Sequence, residues 1–413
     1  MKNMIIIGGG IAAINAIKAI REVNPAVAID LFGAEKFYPY NRIKLTKSLL
    51  DALDPDGILL QKKEWYESNR VNLHLDLGVQ GLDTERREII LPGQKRMGYH
   101  KLLLANGAAN RPPVIAGLDP GKMNTIRTLE DVRRLQREME GKEVILNIGG
   151  GIQGLETAWV LRQQHKEVII AEIQSRLFPY QLDERAAAIL EEAVAAAGVK
   201  VLTNAAVVKA DGGNRIESAA LRDGRRIPCE MVLYATGIQP NIALIKGTPL
   251  QTNQGIIVDA RMQTNIENIY AAGDVAEFDG KVYGLWNIAV SQGKTAGYNM
   301  AQQDTLYQPV VPVTTLNAYG ISLFSMGDVA ENAPGSGARA RPIRTVSDED
   351  RERHTYRRIF VKDDIIRGAI VIGDTGKSPL LKTAIERQTL LEGLDWDGIT
   401  VDELMERLKD LKK

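Results

Sequence analysis

Met4-Ile5-Ile6-Ile7-Gly8-Gly9-Gly10-Ile11-Ala12-Ala13 is the stretch that decides the fold. Four apolar residues in a row suit a short strand buried on both faces. Gly8-Gly9-Gly10 then makes a turn. Ile11, Ile14, Ile17 and Ile20 follow at a spacing of three, with alanines between them, and predict one apolar face of a helix. Val27 to Phe32 supplies a second strand. The order is strand, glycine turn, helix, strand, a βαβ unit. The unit recurs at 143–172: Val144, Ile145, Leu146 and Ile148 for the strand, Gly149-Gly150-Gly151 for the turn, Leu155, Trp159 and Val160 on the helix, and Val168 to Ile170 for the second strand.

The two turns read Gly8-x-Gly10-x-x-Ala13 and Gly149-x-Gly151-x-x-Gly154. A dinucleotide seats its pyrophosphate at a helix N-terminus, where free backbone N–H groups and the helix dipole meet negative charge. A side chain at the turn would block that approach, so glycine is required. An acidic residue near the end of the second strand binds ribose hydroxyls. Glu35, 25 residues after Gly10, fits in the first unit, with Asp30 as its competitor; Glu172, 21 residues after Gly151, fits in the second. A carboxylate there repels a 2′-phosphate and so favours NADH over NADPH, although Arg176 lies close by.

Bulk properties narrow the rest. The chain has 413 residues, enough for two or three domains. Lys plus Arg equals Asp plus Glu at 52 each, so no broad electrostatic case exists for nucleic acid or an anionic membrane. Cys229 is the single cysteine, which excludes an intrachain disulfide, a Cys-x-x-Cys pair and a cysteine-ligated iron–sulfur cluster. Entering an apolar strand, it reads as a buried structural thiol. The four histidines are not in metal-ligand spacing, and no metal is expected. Any redox centre is therefore an organic cofactor. No run approaches the roughly 20 apolar residues of a membrane span, and no signal peptide is visible, so the chain reads as cytoplasmic.

Further along, Asn106-Gly107-Ala108-Ala109-Asn110-Arg111-Pro112-Pro113 and Ala235-Thr236-Gly237-Ile238-Gln239-Pro240-Asn241 read as crossings between domains. Ala333-Pro334-Gly335-Ser336-Gly337-Ala338 is expected to be an exposed loop, and Asp348 to Arg353 a solvated charged run. Val401, Leu404, Met405, Leu408 and Leu411 predict a terminal helix docked on its own domain.

Two dinucleotide turns in one chain, with Pro39-Tyr40-Asn41-Arg42-x-x-Leu45-x-Lys47, Gly149-Gly150-Gly151-Ile152-Gln153-Gly154-Leu155-Glu156, Ala235-Thr236-Gly237 and Asn268-Ile269-Tyr270-Ala271-Ala272-Gly273-Asp274-Val275, resemble the pyridine nucleotide-disulfide oxidoreductase fold family. Within it the chain is most similar to the NADH:rubredoxin reductase and nitrite reductase large-subunit N-terminal branch, whose members are ferredoxin-reductase-like. The resemblance implies an α/β fold with two Rossmann-like domains, of the glutathione-reductase-like FAD/NAD-linked type, and a small α+β C-terminal domain. Residues 1–112 and 241–312 would bind FAD, 113–240 would bind NADH, and 313–413 would form the third domain.

The same resemblance distributes roles. Gly8, Gly10, Ala13, Glu35, Arg42, Ala105, Gly107 and Gly273 fall to FAD, with Asp274 on its ribityl chain and Trp286 beside the isoalloxazine ring. Gly149, Gly151, Gly154, Glu172 and Gly237 fall to NAD. The helix after Trp286 would point its N-terminus at the flavin. Ala105-Asn106-Gly107 departs from the family's Ala-Thr-Gly, which removes any claim for the Asn106 side chain. The disulfide and peroxide reductases of this fold carry a redox cysteine between Pro39 and Lys47; this chain has none, so a thiol mechanism is excluded. Lys47 instead would place an ammonium near flavin N5, with Glu156 close to it and to the nicotinamide, as the catalytic pair. Electrons from NADH would then leave the flavin for a rubredoxin or ferredoxin-type iron–sulfur protein. Alternatives are direct reduction of oxygen or a quinone, or a flavoprotein subunit of a larger complex; a homodimer is equally compatible.

Overall fold

The computed structural model describes residues 3–50, 54–212, 215–329, 343–396 and 398–411. The chain forms two compact units. Met1–Arg111, Arg127–Leu129 and Gly237–Val310 make the first; Pro112–Ile126, Glu130–Thr236 and Val311–Lys413 make the second.

The first unit is built on a five-stranded parallel sheet in the order Ile269–Ala271, Lys101–Leu104, Asn3–Ile7, Ala28–Phe32, Val71–His74. Ile5 and Ile6 are fully buried in its middle strand, as an uninterrupted apolar run demands. The Ile11–Val23 helix is buried over most of its circumference, not only along its isoleucines, because the Trp286–Met300 helix lies on its alanine face. That approach depends on small residues. A methyl on Gly293 would sit 2.2 Å from the Ala12 carbonyl oxygen, and one on Gly297 2.4 Å from that of Ala16.

The second unit repeats the device. Its parallel sheet runs Val199–Leu202, Glu167–Ala171, Val144–Ile148, Met231–Tyr234, with the Ile152–Gln163 helix after the second glycine turn. Even single hydrogen bonds recur. Gly8 N–H donates to the Phe32 carbonyl at 2.8 Å and Gly149 N–H to that of Ala171 at 2.9 Å; Ala105 donates to Ile7 and Ala235 to Ile148, both at 2.8 Å.

Residues from Val313 onward build a five-stranded antiparallel sheet within the second unit, ordered Val313–Ala318, Ile321–Gly327, Ile365–Ile372, Thr355–Lys362, Arg344–Asp350. Phe324, Met326, Ile359, Val361 and Val371 on one face meet Leu381 and Ile385 of the Ser378–Glu386 helix, and Leu404 and Leu408 of the Val401–Asp410 helix. Thr400 and Glu403 close a capping box at the start of that last helix. Leu411 departs from the expected stripe: it lies past the helix end and is 51% exposed. The charged run at 348–353 is solvent-facing but ordered, as the end of an edge strand and its turn, with Asp348 paired to Arg357 and Glu349 to Arg185. The loop expected at 333–338 lies outside the described residues. Cys229 is 1% exposed, and burial pushes its thiol up to about 11. No helix among the described residues is long and apolar enough to cross a membrane, and no group of three metal-ligating side chains occurs among them.

Candidate functional site

Each parallel sheet ends in a glycine turn of the same geometry. Gly8 and Gly149 both have φ of +106°, and a methyl there would lie 2.3 Å and 2.4 Å from the carbonyl oxygens of Ala105 and Ala235. Gly10 and Gly151 then serve as helix N-caps with extended backbone. Neither helix has a side-chain cap or an acidic residue in its first turn, and the space beside Gly10 and Gly151 is open to 4 Å. Uncapped N–H groups facing an open, glycine-lined space are what a pyrophosphate needs. The residues present therefore fit a dinucleotide at each turn.

The third motif position differs between the two. A methyl on Gly154 would fall 2.1 Å from the Gly149 carbonyl oxygen, whereas Ala13 is accommodated and fully buried. Asn147 explains the crowding at Gly154. This side chain, 1% exposed in an otherwise apolar strand, donates to the carbonyls of Gly149 at 3.0 Å and Gly154 at 3.4 Å. A lone amide inside Val144–Ile148 was the available sequence signal.

Around the first turn, Glu35 lies in a polar network. Its carboxylate accepts from Arg42 Nη2 and from the Tyr40 hydroxyl, each at 2.6 Å. Arg42 Nη1 donates to the Arg127 carbonyl at 2.6 Å, and Arg127 Nη2 to Asp274 at 2.6 Å. Arg127, unforeseen from sequence, thus links Glu35 and Arg42 to Asp274. Burial lowers the Arg42 pKa, but the neighbouring Tyr40, Glu35 and Asp274 outweigh it, so its charge is secured. Burial pushes the Tyr40 hydroxyl above its ordinary range, which keeps it a donor. Asp30 is 5% exposed and committed to His74 and Asn72. Gly273, with φ of +80°, donates its N–H to Gln292 at 2.9 Å. Lys47 opens a short 3-10 turn and is exposed. Trp286 is only partly buried and starts the Trp286–Met300 helix, which has no side-chain cap.

Around the second turn, Glu172 is 8% exposed and both its oxygens are engaged: Gly150 N–H donates at 2.7 Å and Gln174 N–H at 2.8 Å. Arg176 turns away to the Pro179 carbonyl at 3.1 Å. Glu156 is partly buried on the Ile152–Gln163 helix. Gly237, with φ of +93°, belongs to the first unit rather than the second, its carbonyl accepting from Arg111 N–H at 2.9 Å. Gly107 has φ of +64°. The departure at Asn106 acquires a role: its amide and that of Asn241 each donate to the other's carbonyl, at 2.7 Å and 2.8 Å, tying the two crossing segments together.

A duplicated glycine-turn cradle on two parallel sheets defines a two-dinucleotide redox fold. The chain belongs to the pyridine nucleotide-disulphide oxidoreductase family, which matches residues 2–293. Residues 312–389 match the rubredoxin NAD+ reductase C-terminal domain. The NADH-rubredoxin oxidoreductase of Clostridium acetobutylicum is 30% identical over 93% of this chain and 94% of its own length. The nitrite reductase [NAD(P)H] of Bacillus subtilis is 30% identical over 94% of this chain and 47% of its own. The chain spans about half the length of the first curated relatives it matches. The crystal structure of the ferredoxin reductase of the CYP199A2 system from Rhodopseudomonas palustris shares the fold, with a TM-score of 0.88 over 98% of this chain and 99% of that one at 21% identity. Family membership implies FAD and NADH as the cofactors.

Proposed function

We propose that the protein passes electrons from NADH through FAD to a small iron–sulfur or rubredoxin-type protein, in the cytoplasm. The duplicated, uncapped glycine turns carry this reading, because one chain has room for two pyrophosphates. Gly8, Gly10, Ala13, Glu35, Arg42, Ala105, Gly107, Gly273, Asp274 and Trp286 would hold FAD. Gly149, Gly151, Gly154, Glu172 and Gly237 would hold NADH. Bound FAD supplies a ring that takes a hydride and can release electrons one at a time. Arg42 and Arg127 pair with Glu35 and Asp274, each at 2.6 Å, and so hold the two candidate FAD carboxylates in place. Lys47 would supply an ammonium to the flavin site, and Glu156 a carboxylate to the NADH site. Glu172, held by two backbone N–H groups, presents a fixed negative charge that disfavours a 2′-phosphate. With the one thiol buried, the electrons have no internal disulfide to reach.

Anaerobic NADH oxidation measured in parallel against rubredoxin, ferredoxin, a quinone and oxygen tests the acceptor; faster turnover with quinone or oxygen than with either protein would sink it. Lys47→Met should slow flavin reduction by NADH about a hundredfold, the lower range for one electrostatic catalytic group; an unchanged rate would remove Lys47 from the site. A second reading, a flavoprotein subunit of a larger electron-transfer complex, is favoured by the relatives of twice this length. Copurification with a second subunit, against a lone monomer or homodimer on sizing, separates the two.

A further inference from the structure

Tyr319 and Gly320 form the two-residue connection between the Val313–Ala318 and Ile321–Gly327 strands, with φ of +57° and +73°. Such a turn favours asparagine, aspartate or glycine at its first position, and an aromatic residue there is disfavoured. The turn itself gains nothing from a tyrosine. The side chain, however, is buried at 6% exposure, and its hydroxyl donates to the Leu155 carbonyl at 2.6 Å. The Trp159 N–H approaches the same hydroxyl, and the two aromatic rings pack with centroids 5.1 Å apart. The contact therefore grips the Ile152–Gln163 helix at Leu155, four residues beyond the open N-terminus at Gly151, on the turn of helix that carries Glu156.

We propose that Tyr319 is a positioning residue for the nicotinamide: it fixes the dinucleotide-binding helix against the C-terminal sheet and so sets the orientation of NADH. The inference rests on the reading that the Gly149–Gly154 turn binds NADH. Hydride transfer depends on near-attack geometry, where displacements of an ångström cost up to about a hundredfold in rate. Affinity is set mainly by the pyrophosphate contacts at the helix start, which Tyr319 does not touch. Losing the hydroxyl should therefore lower the limiting rate more than it weakens binding.

The test is Tyr319→Phe, which keeps the ring and removes only the donor, in the FAD-loaded full chain. Anaerobic stopped-flow titration with NADH should show the limiting rate of flavin reduction falling about tenfold, with the NADH dissociation constant changed less than about threefold. Hydrogen–deuterium exchange of the peptide spanning 152–163 should speed up in the variant without any nucleotide present. A limiting rate within twofold of the parent, a dissociation constant that rises as much as the rate falls, unchanged exchange at 152–163, or a variant that does not fold would each overturn the proposal. If the parent's own flavin is not reduced by NADH, the underlying reading fails instead, and with it the role given to Tyr319.

Discussion

Glycines at the first and second motif positions do different jobs, and substitution separates them. At Gly149 an added methyl meets the Ala235 carbonyl, and the backbone is left-handed. Gly149→Ala should cost about 1–3 kcal/mol from backbone strain before the clash is counted, seen as a lowered melting temperature. At Gly10 the backbone is ordinary and the space is open. Gly10→Ala should melt like the flavin-free parent yet purify with little flavin, because its methyl occupies ligand space; full flavin content would remove the turn from the FAD site. Glu277 makes a pH-dependent contribution. Burial at 3% exposure raises its pKa, but hydrogen bonds from Gly255 N–H, Asn253 and Gln254 N–H outweigh that, and the net value lies below the ordinary 4.5. A carboxylate depressed in the fold stabilises fully above its unfolded pKa and loses that contribution as pH falls through the folded one. The melting-temperature gap between the parent and Glu277→Gln should thus be constant near neutrality and close below the ordinary value; a gap that widens on acidification would reverse the assignment.

Among the elements, the contact between the Ile11–Val23 and Trp286–Met300 helices is the most demanding. Both N-termini are uncapped. Gly293 and Gly297 let the second helix rest directly on the backbone of the first at Ala12 and Ala16. Gly297→Ala gains about 1 kcal/mol in helix propensity. Overpacking against a carbonyl that cannot retreat costs up to about 3 kcal/mol, so the net effect should be a lower melting temperature and weaker flavin retention. A stabilised variant would mean that the helices can separate freely. The far end of this helix is tied as well: Lys101, 5% exposed, donates to the Asn299 carbonyl at 3.2 Å, placing a cation at the helix C-terminus.

For the molecule as a whole, the second unit ties its parallel sheet and helices to the C-terminal sheet by polar contacts as well as by the packing of Tyr319 on Trp159. Asp183 caps the Glu184–Ala196 helix by accepting from Ala186 N–H at 2.8 Å. Its other oxygen accepts from the Tyr356 hydroxyl at 2.7 Å and Arg358 at 3.1 Å, with the side chain 9% exposed. Ser325 reaches the Gln181 carbonyl nearby at 2.5 Å. Asp183→Ala leaves Arg358 without this partner and the helix without its cap, and should cost about 3 kcal/mol. Glu349→Ala breaks a pair with Arg185 that water reaches, and should leave the melting temperature almost unchanged. Equal losses in the two variants would show that the exposed pair matters as much as the buried carboxylate.

The sequence by itself determined the two glycine turns, their strands and helices, the candidate ribose carboxylates and the family, because each depends on residues within one βαβ unit or one short motif. Local spacing fixes which backbone N–H groups stay free and which side chains must be absent. The tertiary structure alone decided that Arg127 bridges to Asp274, that Asn106 and Asn241 clasp each other, and that Tyr319 bonds to Leu155. Those partners are 147, 135 and 164 residues apart. A hydrogen bond between residues so distant in the chain leaves no periodicity or spacing to read, since its geometry is set by how the elements pack.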